Sequence, residues 1–180
     1  MLLQDKFDQL EDLLINHRNS IGIHNGVTFI MLIYSPEREN ECRKKIDNLH
    51  EKLESNNLTV LNIPVNLSIL NHLKNEKILD QIIEFDKEEP KEVRKDLFNR
   101  CKNFFKHDIL EKIQEKTPEI VFITNLSGLY PYYRVSNLLN SLEKEIKIPL
   151  VVFYPGEFKD EKLFFLGELE SNEYYRAQII

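Results

Sequence analysis

Two short apolar runs near the C-terminal end of the chain constrain the fold most. Residues 120–124 and 150–154 lack the apolar and polar alternation of a strand that has one solvated face. Runs of this kind form strands that are buried on both faces, and such strands occur almost only in parallel sheets covered by helices. The two runs therefore predict a parallel sheet.

Two further runs, residues 27–34 and 58–63, have the same character, and helical patterns separate the runs along the chain. Strands that alternate with helices favour a sheet flanked by helices and joined by right-handed crossovers. The predicted fold class is a three-layer α/β fold with a mainly parallel sheet. We expect the four runs to be neighbouring parallel strands with helices on both faces.

Apolar residues recur at helical spacing between these runs. One helix is predicted before the first strand, one between the first two strands, and one or two across residues 67–85, after which the acidic stretch 86–89 is a link. A long helix begins at Pro90, a residue suited to a first helical turn, and ends near Thr117 and Pro118. The tail, residues 162–169 and 174–180, is compatible with an edge strand or a short helix.

Length, charge and cysteine content narrow the class of protein further. The 180 residues fit a single α/β domain over residues 1–180 that is large enough to bury a core. Interspersed charges with a net charge of −6 disfavour direct binding of nucleic acid. Cys42 and Cys101 fall at apolar helical positions, and the longest apolar run is far too short to span a membrane. We expect reduced core thiols in a soluble, cytoplasmic protein.

The sequence contains few patterns that indicate catalysis. Its five glycines form neither GxxxxGK[ST] nor GxGxxG, so the fold is Rossmann-like without a phosphate-binding loop. The five histidines are scattered without metal-ligand spacing, and there is no GxSxG nucleophile motif. We therefore predict no catalytic residue, no metal, no cofactor and no binding of ATP.

The segments after the last two runs are the best candidates for a site, because ligands and partners of open α/β sheets gather beyond the carboxyl ends of the strands. Arg134 begins a helix, where a cation opposes the helix dipole, so it either pairs with an acid such as Glu157 or has a binding role. The nearby tyrosines form an interface or cap the core, and Pro155 with Gly156 forms a turn or part of the site. The tail around residues 174–177 docks a partner or packs as an edge strand.

The order of these clusters resembles the C-terminal half of the BrxB family of BREX bacteriophage-exclusion systems. The resemblance is specific over residues 120–177 and rests on an ordered series of short motifs. The series is Thr124, Tyr130-Pro131, Arg134, Leu139-Asn140, Leu142, Pro149-Leu150-Val151, Pro155-Gly156-Glu157, Leu163-Phe164 and Tyr174-Tyr175-Arg176-Ala177.

The chain departs from the family pattern at four positions. Asn125 and Ser127 stand where family members commonly have glycine, and Val135 and Ser136 stand where they commonly have Ser-His. The remaining motif residues carry over.

The resemblance implies a component of a multi-protein phage-defence system and no known catalytic activity, and we expect a non-catalytic assembly protein. Its expected partners are other BREX proteins, namely a PglZ-like protein of the phosphatase superfamily and a large ATPase. The expected partner-binding residues are Tyr130, Pro131, Tyr133, Arg134, Asn140, Pro155, Gly156, Glu157, Tyr174, Tyr175 and Arg176. The alternative is a degenerate nucleotide-binding or nuclease-like enzyme of the same system, since arginine and glutamate in strand-exit loops can hold phosphates or metals. The sequence leaves the oligomeric state open.

Overall fold

A computed structural model of the protein describes residues 1–23, 26–160, 162–171 and 176–180. The described residues form six α-helices and seven β-strands. The helices are α1 (Leu3–Asn16), α2 (Glu39–Ser55), α3 (Val65–Asn75), α4 (Leu79–Glu88), α5 (Pro90–Lys116) and α6 (Val135–Leu142). The strands are β1 (Phe29–Tyr34), β2 (Val60–Pro64), β3 (Ile120–Thr124), β4 (Leu150–Lys159), β5 (Lys162–Phe165), β6 (Leu169–Ser171) and β7 (Gln178–Ile179).

The strands form a mixed sheet with a parallel centre. Its main path is β2-β3-β4-β1-β7, and every neighbouring pair on this path is parallel. In register, Phe29 of β1 lies opposite Leu150 of β4. The prediction of four neighbouring parallel strands is confirmed. The outer half of β4 pairs with β5, and β5 pairs with β6, both antiparallel.

Helices cover both faces of this sheet because the central strands are apolar on both faces. Helices α1 and α2 pack on one face, where the ring of Phe7 stacks on Phe153 at a centroid distance of 5.9 Å. Helices α5 and α6 pack on the other face, where Phe105 joins Val152 in the larger core cluster. The fold is thus the three-layer α/β arrangement that the sequence predicts.

Strand β4 continues beyond the point at which the sequence predicts its end. It passes through Pro155 and Gly156 and ends at Lys159, so the interpretation of these two residues as a turn is wrong. Pro155 lies opposite Tyr34 of β1, and its carbonyl oxygen accepts a hydrogen bond of 2.9 Å from the backbone N–H of Leu166. Strand β4 therefore pairs in parallel with β1 and β3 along its first half and in antiparallel with β5 along its outer half, without a break in its own backbone.

The middle of the chain forms two separate helices, α3 and α4. The acidic stretch that the sequence assigns to a link is mostly helical, since α4 ends only at Glu88. Glu89 alone separates α4 from α5, with φ −130° and ψ 61°, because a residue before proline is disfavoured in the helical region. No helix in the described ranges is long and apolar enough to cross a membrane.

The tail contributes three strands, β5, β6 and β7. Residues 162–171 supply β5 and β6, and β7 pairs with β1 as a short parallel edge strand. The ammonium group of Lys6 in α1 donates hydrogen bonds to the carbonyl oxygens of Ile33 and Ile180, at 2.7 and 3.1 Å. These bonds tie the C-terminus to the end of β1.

Both cysteines are buried and free, as the helical pattern predicts. Burial raises the pKa of Cys101 to about 12 and moves the pKa of Cys42 well above its usual range. Neither thiol is therefore activated as a nucleophile at neutral pH.

Gly156 should be essential for the path of β4. A Cβ at this position would lie 2.5 Å from the carbonyl oxygen of Phe164 and 2.6 Å from a ring carbon of Tyr154. We expect Gly156→Ala to lower the free energy of unfolding by about 1–3 kcal/mol through overpacking, measured by urea denaturation. A variant as stable as the wild type would contradict this account of the strand.

Candidate functional site

The carboxyl ends of β1, β2 and β3 meet at one edge of the sheet, and the outer half of β4 rises from the same edge. We call this region the exit edge. It comprises the residues that follow β1, β2 and β3, together with residues 155–160 and 162–170. Open parallel sheets bind their ligands and partners at this edge.

Side-chain hydrogen bonds fix the exit edge between β2 and β3. The hydroxyl of Thr124 donates to the side-chain oxygen of Asn62 at 2.9 Å, and the amide nitrogen of Asn125 donates to the side-chain oxygen of Asn66 at 3.0 Å. Asn125 has a left-handed backbone, with φ 58° and ψ 40°, which asparagine tolerates better than most residues. The backbone geometry that glycine permits is thus retained at this position by asparagine.

A cavity of about 330 Å³ lies at the exit edge, between the start of α6 and the β5–β6 hairpin. We call it the exit cavity. It receives residues from the loop after β3, from the first turn of α6, from β4 and from the hairpin. Its lining residues are Tyr130, Pro131, Tyr133, Arg134, Val135, Ser136, Tyr154, Phe165, Glu168, Leu169 and Glu170. Four of the residues that the sequence predicts as a site therefore lie around one cavity.

The structure separates two of the tyrosines that the sequence treats alike. Tyr130, which precedes Pro131, is 49% exposed, whereas Tyr133 is only 5% exposed. The ring of Tyr133 stacks on Phe105 and contacts Phe98, at centroid distances of 5.9 and 5.7 Å. Burial raises the pKa of Tyr133 to about 12. Tyr130 is available to a partner, and Tyr133 supports the cavity from within the core.

Arg134 is an exposed residue at the N-cap of α6, and its carbonyl oxygen accepts a hydrogen bond from the backbone N–H of Leu138. The helix dipole disfavours a cation at the N-terminal end of α6, and carboxylates near the Arg134 side chain offset this unfavourable interaction. Glu168 and Glu170 line the same cavity, and Glu170 also forms an ion pair with Lys162.

Ser136 contributes an unusual group to the same cavity. The residue is 2% exposed, and its hydroxyl forms no hydrogen bond with any residue in the described part of the chain. A buried hydroxyl without a partner costs about 1–3 kcal/mol, so native proteins retain few of them. The position of Ser136 in the cavity lining suggests a binding function for this hydroxyl.

Glu157 belongs to a different part of the exit edge. It forms an ion pair of 2.7 Å with Lys159 and lines a second cavity of about 370 Å³ with Lys6, Arg38 and Gly156. Burial lowers the pKa of Lys6 in this second cavity. The β4–β5 ribbon therefore has one cavity beside Arg134 and another beside Glu157, rather than one site that contains both residues.

The remaining predicted residues lie elsewhere. Asn140 is exposed on α6, six residues beyond Arg134 and so about 9 Å further along the helix axis. Arg176 forms an ion pair with Glu143, the residue that follows α6. Pro155 is buried within β4. Tyr174 and Tyr175 lie outside the described residues.

Seven residues that line the exit cavity are not among the predicted site residues, and three of these are Ser136, Phe165 and Glu168. Ser136 occupies an ordinary polar position within a helical pattern, and no sequence signal marks its hydroxyl as unpaired. The other two lie on a hairpin that could have been recognised from the short apolar run of residues 163–166, followed by Gly167, which has a φ of +76°.

The fold and the exit cavity together define the class of protein. The chain is a three-layer α/β domain whose exit edge carries an aromatic and charged cavity in place of a glycine-rich phosphate loop. Among the residues that the structure describes, no group of three or more histidine, cysteine, aspartate or glutamate side chains could hold a metal ion.

Comparison with known proteins then identifies the family. The model of the family described as "BREX protein BrxB" matches residues 61–180. A protein named BREX protein BrxB, from Bacillus cereus (strain H3081.97), is 27% identical over 168 residues, which cover 89% of this chain and 86% of that protein. No solved structure matches the chain. The chain belongs to the BrxB family, and this membership assigns it to antiviral defence as a BREX component.

Alanine variants of Tyr130 and Tyr133 test the assignment of Tyr130 to the surface and of Tyr133 to the core. Tyr133→Ala should lower the free energy of unfolding by about 3–5 kcal/mol, because it removes a buried aromatic ring from the core. Tyr130→Ala should change it by about 0.5 kcal/mol or less, because the side chain is half exposed. Urea denaturation of the two variants measures both effects, and equal losses would contradict the assignment of one tyrosine to the core and the other to the surface.

Proposed function

We propose that this chain is a non-catalytic assembly component of its BREX system and that the exit cavity binds another BREX protein. The composition of the exit cavity is the main support for this proposal. The cavity combines the exposed side chains of Tyr130 and Arg134 with the enclosed hydroxyl of Ser136, which has no hydrogen-bond partner among the residues that the structure describes.

The groups around the cavity are those that protein interfaces favour. Tyrosine and arginine are enriched at interfaces and dominate binding energies, because each combines a large contact area with polar groups. A side chain of the partner that enters the cavity would contact Phe165 and could supply a hydrogen bond to Ser136. Arg134 would then face an acidic or carbonyl group of the partner at the entrance.

Hydrogen bonds and close packing between the loop after β3 and the residues around Asn62 and Asn66 support the use of this part of the exit edge as a preformed docking surface. Hydrogen bonds from Thr124 and Asn125 hold the loop after β3, and Gly128 packs so closely on Asn66 that an added Cβ would lie 2.4 Å from the Cβ of Asn66. A preformed surface loses less conformational entropy on binding than a flexible one. This supports recognition by the loop as it stands.

The family resemblance names the partners to test. These are the PglZ-like protein and the large ATPase of the same BREX system. We propose that at least one of them contacts Tyr130, Pro131 and Arg134, while residues 155–157 help to shape the surface through the β4–β5 ribbon.

Arg134→Ala tests the docking role. We expect the variant to lose about 2 kcal/mol or more of binding free energy for a partner, as substitutions of arginine at interface centres often do. Its free energy of unfolding should change by about 0.5 kcal/mol or less, because the residue is exposed. Affinity is measured by calorimetry with the purified PglZ-like protein and ATPase, and stability by urea denaturation.

Arg43→Ala is the matched control. Arg43 is an exposed arginine like Arg134, but it lies on α2, which covers the opposite face of the sheet from α6. Its replacement should leave both affinities unchanged.

Ser136→Ala adds a second test. It should leave the free energy of unfolding unchanged or raise it, and it should weaken the binding of the partner. An Arg134→Ala protein that is strongly destabilised, or that is stable and binds both partners normally, would refute the proposal.

A further inference from the structure

The first turn of α6 carries backbone N–H groups that lack acceptors. The N–H groups at the start of a helix have no carbonyl of the same helix to bond with, and they point along the axis beyond its first residue. Arg134 at the N-cap supplies no side-chain cap, and the N–H groups of Val135, Ser136 and Asn137 form no hydrogen bond within the part of the chain that the structure describes. Arg134, Val135 and Ser136 all line the exit cavity, so this helix end opens toward it.

The hydroxyl of Ser136 is a separate donor at the same place. The residue is 2% exposed, and its hydroxyl has no hydrogen-bond partner among the described residues. Ser141 on the same helix shows the usual arrangement, since its hydroxyl donates a hydrogen bond of 2.7 Å to the carbonyl oxygen of Leu138. A buried hydroxyl and several N–H groups that lack acceptors at one cavity indicate that the missing ligand is a hydrogen-bond acceptor.

The charges around the cavity limit the charge of this acceptor. Among the described residues, the charged side chains of the lining are those of Arg134, Glu168 and Glu170, and all three residues are exposed. Glu170 forms an ion pair with Lys162, so Arg134 and Glu168 remain as one charge of each sign. The start of α6 adds the positive end of the helix dipole. A carboxylate with a single negative charge suits this balance, whereas a phosphate with a charge of about −2 would be repelled more strongly by the two glutamates.

The walls of the cavity are aromatic and apolar. They include Tyr133, Tyr154, Phe165 and Leu169. The volume of about 330 Å³ lies at the lower end of the range for ligand pockets, so the ligand must carry its carboxylate and its apolar surface within a few atoms of each other. The last residue of a protein chain meets this condition, because its carboxylate and its side chain are attached to the same carbon. An aspartate or glutamate side chain brings the charge but little apolar surface.

We propose that the exit cavity binds the C-terminal carboxylate of a partner protein whose last residue is apolar. This inference rests on the proposed function and names the group of the partner that enters the cavity. The carboxylate accepts hydrogen bonds from the hydroxyl of Ser136 and from the N–H groups of the first turn of α6, and the last side chain packs on Phe165 and Leu169. Clusters of backbone N–H groups capture C-terminal carboxylates in one of the recurring modes of peptide recognition.

The test uses the full chain and three N-acetylated tripeptides. The first ends in leucine with a free carboxylate, the second ends in leucine amide, and the third ends in glutamate whose α-carboxyl group is amidated. We expect the first peptide to bind about tenfold or more tightly than the other two, because the second lacks the charged acceptor and the third lacks the apolar side chain. Chemical shifts of the backbone amides of Ser136 and Asn137, followed by NMR during titration, measure the binding.

Ser136→Ala and Ser141→Ala form a matched pair, because both serines lie on α6 and only Ser136 lines the exit cavity. Ser136→Ala should weaken the binding of the free leucine peptide about tenfold, and Ser141→Ala should leave it within about twofold, since a hydrogen bond to a charged group is lost only in the first variant. The same chemistry is tested on the partner itself. Extension of its C-terminus by a short tag should weaken its binding about tenfold or more, because the carboxylate no longer reaches the cavity.

Equal affinity for the free and the amidated leucine peptide would overturn the inference. So would equal losses for the two serine variants, or tighter binding of the glutamate peptide or of inorganic phosphate than of the free leucine peptide. A partner that loses affinity with Arg134→Ala, but not when its own C-terminus is extended, would overturn the inference and leave the proposed function standing. Binding of the free leucine peptide as expected, with no binding of either BREX partner, would support the carboxylate site and refute the proposed function.

Discussion

The close contact at Gly156 is the constraint on which the exit edge depends. Strand β4 is buried on both faces among β1 and β3, and it can leave the sheet as an antiparallel ribbon only if Phe164 approaches its backbone at Gly156. A side chain there would meet both the carbonyl of Phe164 and the ring of Tyr154. The ribbon in turn places Phe165 and the hairpin against the first turn of α6, and this arrangement forms the exit cavity.

The fold could be predicted because its determinants are local. Apolar runs without alternation define strands buried on both faces, and the structure contains all four as parallel neighbours. The exceptions have physical reasons. Pro155 and Gly156 have the composition of a turn, yet they lie within a strand because each has a tertiary partner, Pro155 on β1 and Gly156 on β5. Asp86, Lys87 and Glu88 are charged and exposed or half exposed, but they still continue α4 because glutamate and lysine are good helix formers.

The position of the site could be predicted from the sequence, but the role of each residue in it could not. The rule that sites lie beyond strand ends places Tyr130 and Arg134 at the exit edge, and the structure puts both around the exit cavity. Sequence alone could not tell that Tyr133 packs on Phe105 while Tyr130 faces outward, since both are tyrosines of one loop. Nor could it show that the hydroxyl of Ser136 is enclosed without a partner in the described part of the chain, because hydrogen bonding is a property of the folded state.

Hydrogen–deuterium exchange of the chain with and without the purified PglZ-like protein and ATPase shows directly whether the exit edge binds a partner. If it does, amide exchange slows in residues 126–136 and 165–170 when a partner is bound, because these segments surround the exit cavity. Residues 117–119 and 147–149, which precede β3 and β4 at the opposite end of the sheet, should be unchanged. Protection confined to that opposite end, with unchanged exchange around the exit cavity, would contradict the account.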